Sequence, residues 1–65
     1  MAVIEMTKRM RDALAECVEY ADRNDRYWYR KASMERLVLL GYATWQRDYY
    51  VPTQAGRDYL TGRIR

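Results

Sequence analysis

The sequence predicts a mainly α domain with a small β-hairpin, an α+β arrangement of three helices and a two-stranded hairpin, with a short extra strand near Trp28. Three observations predict it. Met10, Ala13, Leu14, Cys17, Val18 and Ala21 recur at three- and four-residue steps, the period of one helix face. Gly41 closes the apolar run Leu37-Val38-Leu39-Leu40, and glycine takes the left-handed conformation that ends helices at little cost. Two aromatic runs then lead to Pro52-Thr53, an extended residue handing over to a capping hydroxyl.

The first helix is expected from Thr7, as N-cap, to about Arg23, with Met6 at the head of its stripe. Lys8, Arg9, Arg11, Asp12, Glu16, Glu19 and Arg23 point outward, a face of mixed sign that reads as solvated, and Glu19 and Arg23 form a favourable i,i+4 pair. Asn24-Asp25 ends the helix, since both residues favour turns. In Arg26-Tyr27-Trp28-Tyr29-Arg30-Lys31, strand alternation puts Trp28 on one side and Tyr27 and Tyr29 on the other. The leading reading buries Trp28 in the core and leaves the bases in water. The other makes this segment a patch that touches phosphates or bases.

Ser33 can cap a second helix to Leu40, with Met34, Leu37 and Leu40 or Gly41 facing the core. Tyr42-Ala43-Thr44-Trp45 and Tyr49-Tyr50-Val51 are aromatic and β-branched, as strands are. Gln46-Arg47-Asp48 makes the tip, without the Asn-Gly pair of a tight turn. The last helix runs from Thr53 to about Gly62. Gly56 near its start costs up to about 1 kcal/mol against Ala, which close packing against a neighbour would explain.

Sixty-five residues, 1–65, make one small domain. A chain of this size buries only about 60% of its unfolded surface. Its core is therefore worth only about 3–5 kcal/mol, which leaves little room for buried catalytic groups. Phe is absent and seven Tyr take its place, so many rings should lie half-buried with the hydroxyl in water. With no His, and with Cys17 as the one cysteine, neither an internal disulfide nor a cysteine-rich zinc site is expected. Cys17 falls on the apolar stripe and reads as a small buried hydrophobe. No metal or cofactor is expected. No apolar run approaches the roughly 20 residues of a membrane span. Met1-Ala2-Val3-Ile4-Glu5-Met6 lacks the basic lead of a signal peptide, so the expected location is the cytoplasm. Charge is uneven: residues 1–23 carry four bases and five acids, whereas residues 24–65 carry eight bases and four acids. The basic excess thus falls on the half with the hairpin.

Met34-x-x-Leu37-x-x-x-Gly41-Tyr42, a hairpin, then Tyr50-x-x-Thr53-x-x-Gly56-Arg57-x-x-Leu60 resembles the winged helix-turn-helix superfamily of small bacterial and phage DNA-binding proteins. The resemblance covers roughly residues 7–62. It implies a recognition helix in the major groove and a wing on the DNA backbone, with Arg30, Lys31, Ser33, Glu35 and Arg36 on the helix and Gln46 and Arg47 at the wing tip. The chain departs from the pattern in three places. Only residues 24–32 separate the first helix from Ser33, too few for a full supporting helix. Pro52 stands where the family usually has Leu, and without an N–H it should end the second wing strand. Val38 and Leu39 stand where polar or basic side chains are common. Leu39 lies about 200° around the helix from Leu37, so it either meets the first helix from another side or is exposed.

Two functions from different classes follow. The first is a DNA-binding transcriptional regulator, with Arg26, Arg30, Lys31, Arg36 and Arg47 on phosphates and Arg36 or Lys31 reading guanine edges. A homodimer would supply two half-sites. The second is a protein-interaction module, as in a phage or mobile-element modulator of a host factor. Val38, Leu39, Tyr27 and Tyr29 would then make the contact, in keeping with the Tyr, Trp, Met and Arg of interface cores. Catalysis is the poorest reading. Asp12, Glu16 and Glu19, and Asp48 and Asp58 beside arginines, assemble no acid, base and stabiliser.

Overall fold

The computed structural model describes residues 5–62. Residues 1–4, read above for a targeting signal, and 63–65 lie outside them. In chain order the elements are α1 (Lys8–Asp22), α2 (Lys31–Leu39), β1 (Ala43–Gln46), β2 (Tyr49–Pro52) and α3 (Gln54–Thr61). Three helices and a two-stranded antiparallel hairpin are the expected α+β arrangement.

Thr7 caps α1 as expected, its hydroxyl accepting from the Met10 N–H at 3.2 Å. At the other end Asn24 turns left-handed (φ 62°). Its N–H bonds to the Ala21 carbonyl and that of Asp25 to the Tyr20 carbonyl, a Schellman closure made by Asn in place of Gly. Met10, Ala13, Leu14 and Cys17 form the buried stripe. The Cys17 thiol meets the Tyr50 carbonyl at 3.7 Å, and burial pushes its pKa up from 9.0 to about 11.

Residues 23–30 contain no helix. They carry the chain across to β2, where the Tyr50 N–H bonds the Tyr27 carbonyl at 2.7 Å in an isolated antiparallel bridge. The extra strand expected near Trp28 is therefore a single bridge at Tyr27. Its orientation reverses the leading expectation: Tyr27 is 1% exposed and Trp28 58%. The bridge gives Tyr27 the same face as Tyr50, which looks into the core. Alternation then sends Trp28 outward. Tyrosine suits this position because its ring fills the core while its hydroxyl reaches Glu16 at the core edge.

α2 begins three residues earlier than a Ser33 cap implies, and Ser33 is not its cap. Arg30 holds that place in a left-handed conformation (φ 53°) without a side-chain cap bond. Met34 and Leu37 are buried beneath α1 and the hairpin, with Val38 and Leu40 half-buried beside them. Gly41 (φ 84°) ends α2 by a second Schellman motif, Tyr42 N–H to Leu37 carbonyl and Gly41 N–H to Val38 carbonyl.

The hairpin pairs Ala43 with Pro52, Thr44 with Val51, Trp45 with Tyr50 and Gln46 with Tyr49. Arg47-Asp48 is thus a two-residue tip, and Gln46 belongs to β1 and not to the tip. Arg47 takes the positive φ (51°) at the first loop position, where such turns prefer Gly. β2 ends at Pro52, as the missing N–H requires. Thr53 caps α3: its hydroxyl accepts from the Gly56 N–H at 3.0 Å and donates to the Gly41 carbonyl at 2.7 Å. Its own N–H bonds the Tyr42 carbonyl at 3.1 Å. Gly56 is buried where a Cβ would collide with that same carbonyl and press on Leu14 Cδ1. The close packing expected at Gly56 is what the structure shows.

Gly56→Ala should destabilise by about 1–3 kcal/mol, because the Cβ meets backbone that cannot turn aside. Gly41→Ala meets no neighbour and should cost about 1–2 kcal/mol from its left-handed backbone alone. Urea midpoints measure both, and a Gly56→Ala chain as stable as wild type would refute the packing. A second test concerns Cys17. Between about pH 9 and about pH 11 the unfolded thiol ionises while the folded one stays neutral, so stability is lost as pH rises through that window. The pH slope of the urea midpoint there should flatten in Cys17→Ala.

Candidate functional site

The predicted DNA-contacting residues fall into four places. Arg26, Gln46 and Arg47 gather at the turn end of the hairpin, Gln46 from the last position of β1, with Asp48 and Tyr49. There Arg26 pairs with Asp48 at 3.4 Å and lies over the Tyr49 ring, 5.5 Å from its centroid. Both partners are well exposed, so the pair is a weak one.

Arg30 is apart from these. Its Nε donates to Glu16 Oε1 at 3.2 Å, and the same oxygen accepts from the Tyr27 hydroxyl at 2.6 Å. Burial first, and then the hydrogen bond and charge of Glu16, hold the Tyr27 phenol well above its ordinary pKa. Glu16, expected on a solvated face, thus fixes both the core tyrosine and the start of α2. Tyr20, Tyr27 and Tyr29 meet edge to face around it, with centroids 5.0–5.8 Å apart. Trp28 stacks on Tyr29 at 4.5 Å on the outside. Of the two tyrosines considered for a partner, Tyr29 is exposed and Tyr27 is not available, being in the core.

α2 separates the remaining candidates. Ser33 and Arg36 line a cleft against the start of α1, together with Thr7, Lys8, Arg9, Met10 and Ala32. Three of these carry positive charge and none is a carboxylate. Among the described residues the ion pairs are Arg26–Asp48, Arg30–Glu16 and Arg57–Asp22, so Lys8, Arg9 and Arg36 are in none of them. Lys8 and Arg9 were missed as site residues because α1 by itself shows mixed charge. Only its crossing of α2 sets them beside Arg36.

On the opposite flank Lys31, Glu35, Val38 and Leu39 line a groove of about 520 Å³ with Trp45 and Tyr50. Positions 31, 35, 38 and 39 share one helical side, a spacing visible in the sequence. Trp45 was missed, and a strand pattern alone does not say whether a helix covers its ring. Leu39 is 75% exposed, which decides between the two placements expected for it. Burial first and Glu35 second raise the Tyr50 phenol pKa.

No family model, curated protein or solved structure matches this chain. No helix among the described residues is long and apolar enough to cross a membrane.

Glu16→Ala should cost about 1–3 kcal/mol, the penalty for leaving the Tyr27 hydroxyl without its partner. Glu16→Gln keeps an acceptor and should recover part of it. Unfolding midpoints of both chains measure the difference, and equal losses would show that the acceptor is unimportant.

Proposed function

We propose that the chain is a small winged-helix-type DNA-binding protein that holds duplex phosphates in the cationic cleft between α1 and α2. The observation that carries this reading is the cleft itself, where Lys8, Arg9 and Arg36 come from two helices and face no carboxylate among the lining residues. Thr7, the α1 N-cap, also lines it, so the positive end of the α1 dipole opens on the same space. Ser33 adds a hydroxyl of the kind that bonds phosphate oxygens. Arg47 at the exposed hairpin tip supplies a second point of contact, as a wing would.

The pairing of Arg26 and Arg30 with Asp48 and Glu16 moves weight away from the extended segment and onto α1. Arg36 becomes the residue for reading guanine edges, since Lys31 stands on the apolar flank with Glu35. Sequence-specific binding would make the protein a transcriptional regulator, and a cytoplasmic location goes with that role.

Duplex binding followed by fluorescence anisotropy should weaken linearly on a log–log salt plot. Lys8→Ala and Arg9→Ala should each lower the slope by about 1, and Arg36→Ala should weaken binding and relax the preference for guanine at one position. Arg57→Ala, which removes a base paired at 3.0 Å with Asp22, serves as the control and should leave the slope unchanged. Binding that ignores salt, or a triple variant that binds as well as wild type, would overturn the reading.

A further inference from the structure

The groove between α2 and the hairpin has a different chemistry from the cleft, and the proposed DNA contact does not use it. By register Trp45 lies opposite Tyr50, so its ring faces the core side of the hairpin. Tyr50 is 5% exposed and Trp45 51%, although their rings touch at 4.6 Å. The difference is one of cover: α1 and Tyr27 lie against Tyr50, whereas Trp45 sits beyond them at the groove. Leu39 flanks the same space from α2, aimed outward at a position where a solvated helix ordinarily carries a polar side chain. An inward-facing tryptophan and an outward-facing leucine thus share one unfilled groove.

We infer that this groove is a homodimer interface, filled by the Leu39 and Trp45 of a second copy of the chain. The charge at its rim selects that occupant. Lys31 and Glu35 place one base and one acid beside the apolar floor. A partner carrying one base and one acid beside an apolar surface complements it, and this surface is itself such a partner. A strongly acidic or strongly basic partner would leave Glu35 or Lys31 facing a like charge. Self-complementarity of one patch is what a two-fold interface requires. The described residues bury nine apolar side chains, a small core of the kind that association commonly supplements. The cleft with Lys8, Arg9 and Arg36 lies on the other flank of α2 and stays open in such a dimer. The inference therefore stands or falls without the DNA reading.

Sedimentation of the full chain from low to high micromolar concentration tests it. The expected result is a monomer–dimer equilibrium in wild type, abolished in Leu39→Asp and in Trp45→Ser. Both variants should keep the far-ultraviolet circular dichroism of wild type, since neither residue is in the buried core. The position of the interface is tested separately in a Trp28→Phe chain, where Trp45 is the remaining tryptophan. Its emission should shift to the blue as concentration rises through the dimerisation range. A wild-type chain that stays monomeric throughout overturns the proposal and leaves the groove to a different protein. Dimerisation that survives Leu39→Asp, or Trp45 emission that ignores concentration, overturns it as well.

Discussion

One hydroxyl joins the three elements on which the architecture depends. Thr53 Oγ1 donates to the Gly41 carbonyl, where α2 has just ended, and accepts from the Gly56 N–H, where α3 begins. The Thr53 N–H takes the Tyr42 carbonyl at the base of the hairpin. Gly56 lets that carbonyl approach α3 at a distance no side chain would permit. The closing helix is therefore set against the base of the hairpin and Leu14 of α1. Each of these bonds is local and modest in itself. Their effect is large because they meet at one residue, where α2, the hairpin and α3 join.

A second junction does for the extended connection what Thr53 does for the hairpin. Residues 23–30 have no helix of their own, and the Tyr27–Tyr50 bridge together with the Tyr27–Glu16 hydrogen bond ties them to β2 and α1. Arg30 then turns left-handed to start α2 with its guanidinium on the same carboxylate. A base in that position serves the fold, and this lowers its value as a phosphate contact. The aromatic cluster around it follows the same logic. Tyr20, Tyr27 and Tyr29 pack edge to face, leaving Trp28 outside where the alternation sends it.

The consequence for the surface is that α2 shows two unlike flanks. Against α1 it shows Ser33 and Arg36 beside Lys8 and Arg9, and against the hairpin it shows Val38 and Leu39 beside Trp45. A single helix can serve an anion on one side and an apolar partner on the other because its exposed arc is wide and only Met34 and Leu37 are wholly buried. The nucleic-acid and protein readings, assigned different residues from the sequence, thereby fall on opposite flanks of one helix.

The sequence by itself determined the elements and most of their ends. Thr7, Asn24, Gly41, Pro52 and Thr53 act through their own backbone and nearest neighbours, so their roles are legible without a fold. The same holds for the α1 stripe and for the helix-propensity cost of Gly56, whose reason needed a neighbour but whose size did not. Tertiary structure decided everything that depends on which element lies across from which. Tyr27 displaced Trp28 from the core because the bridge to Tyr50 fixed the facing, and Ser33 lost its capping role because α2 starts at Lys31 with Arg30 in the cap position. Lys8 and Arg9 joined Arg36 only when α1 crossed α2, and Trp45 was left 51% exposed across a groove from α2. Helix and turn signals span a few residues of chain, whereas a site is made by side chains far apart in sequence, and their meeting is a property of packing alone.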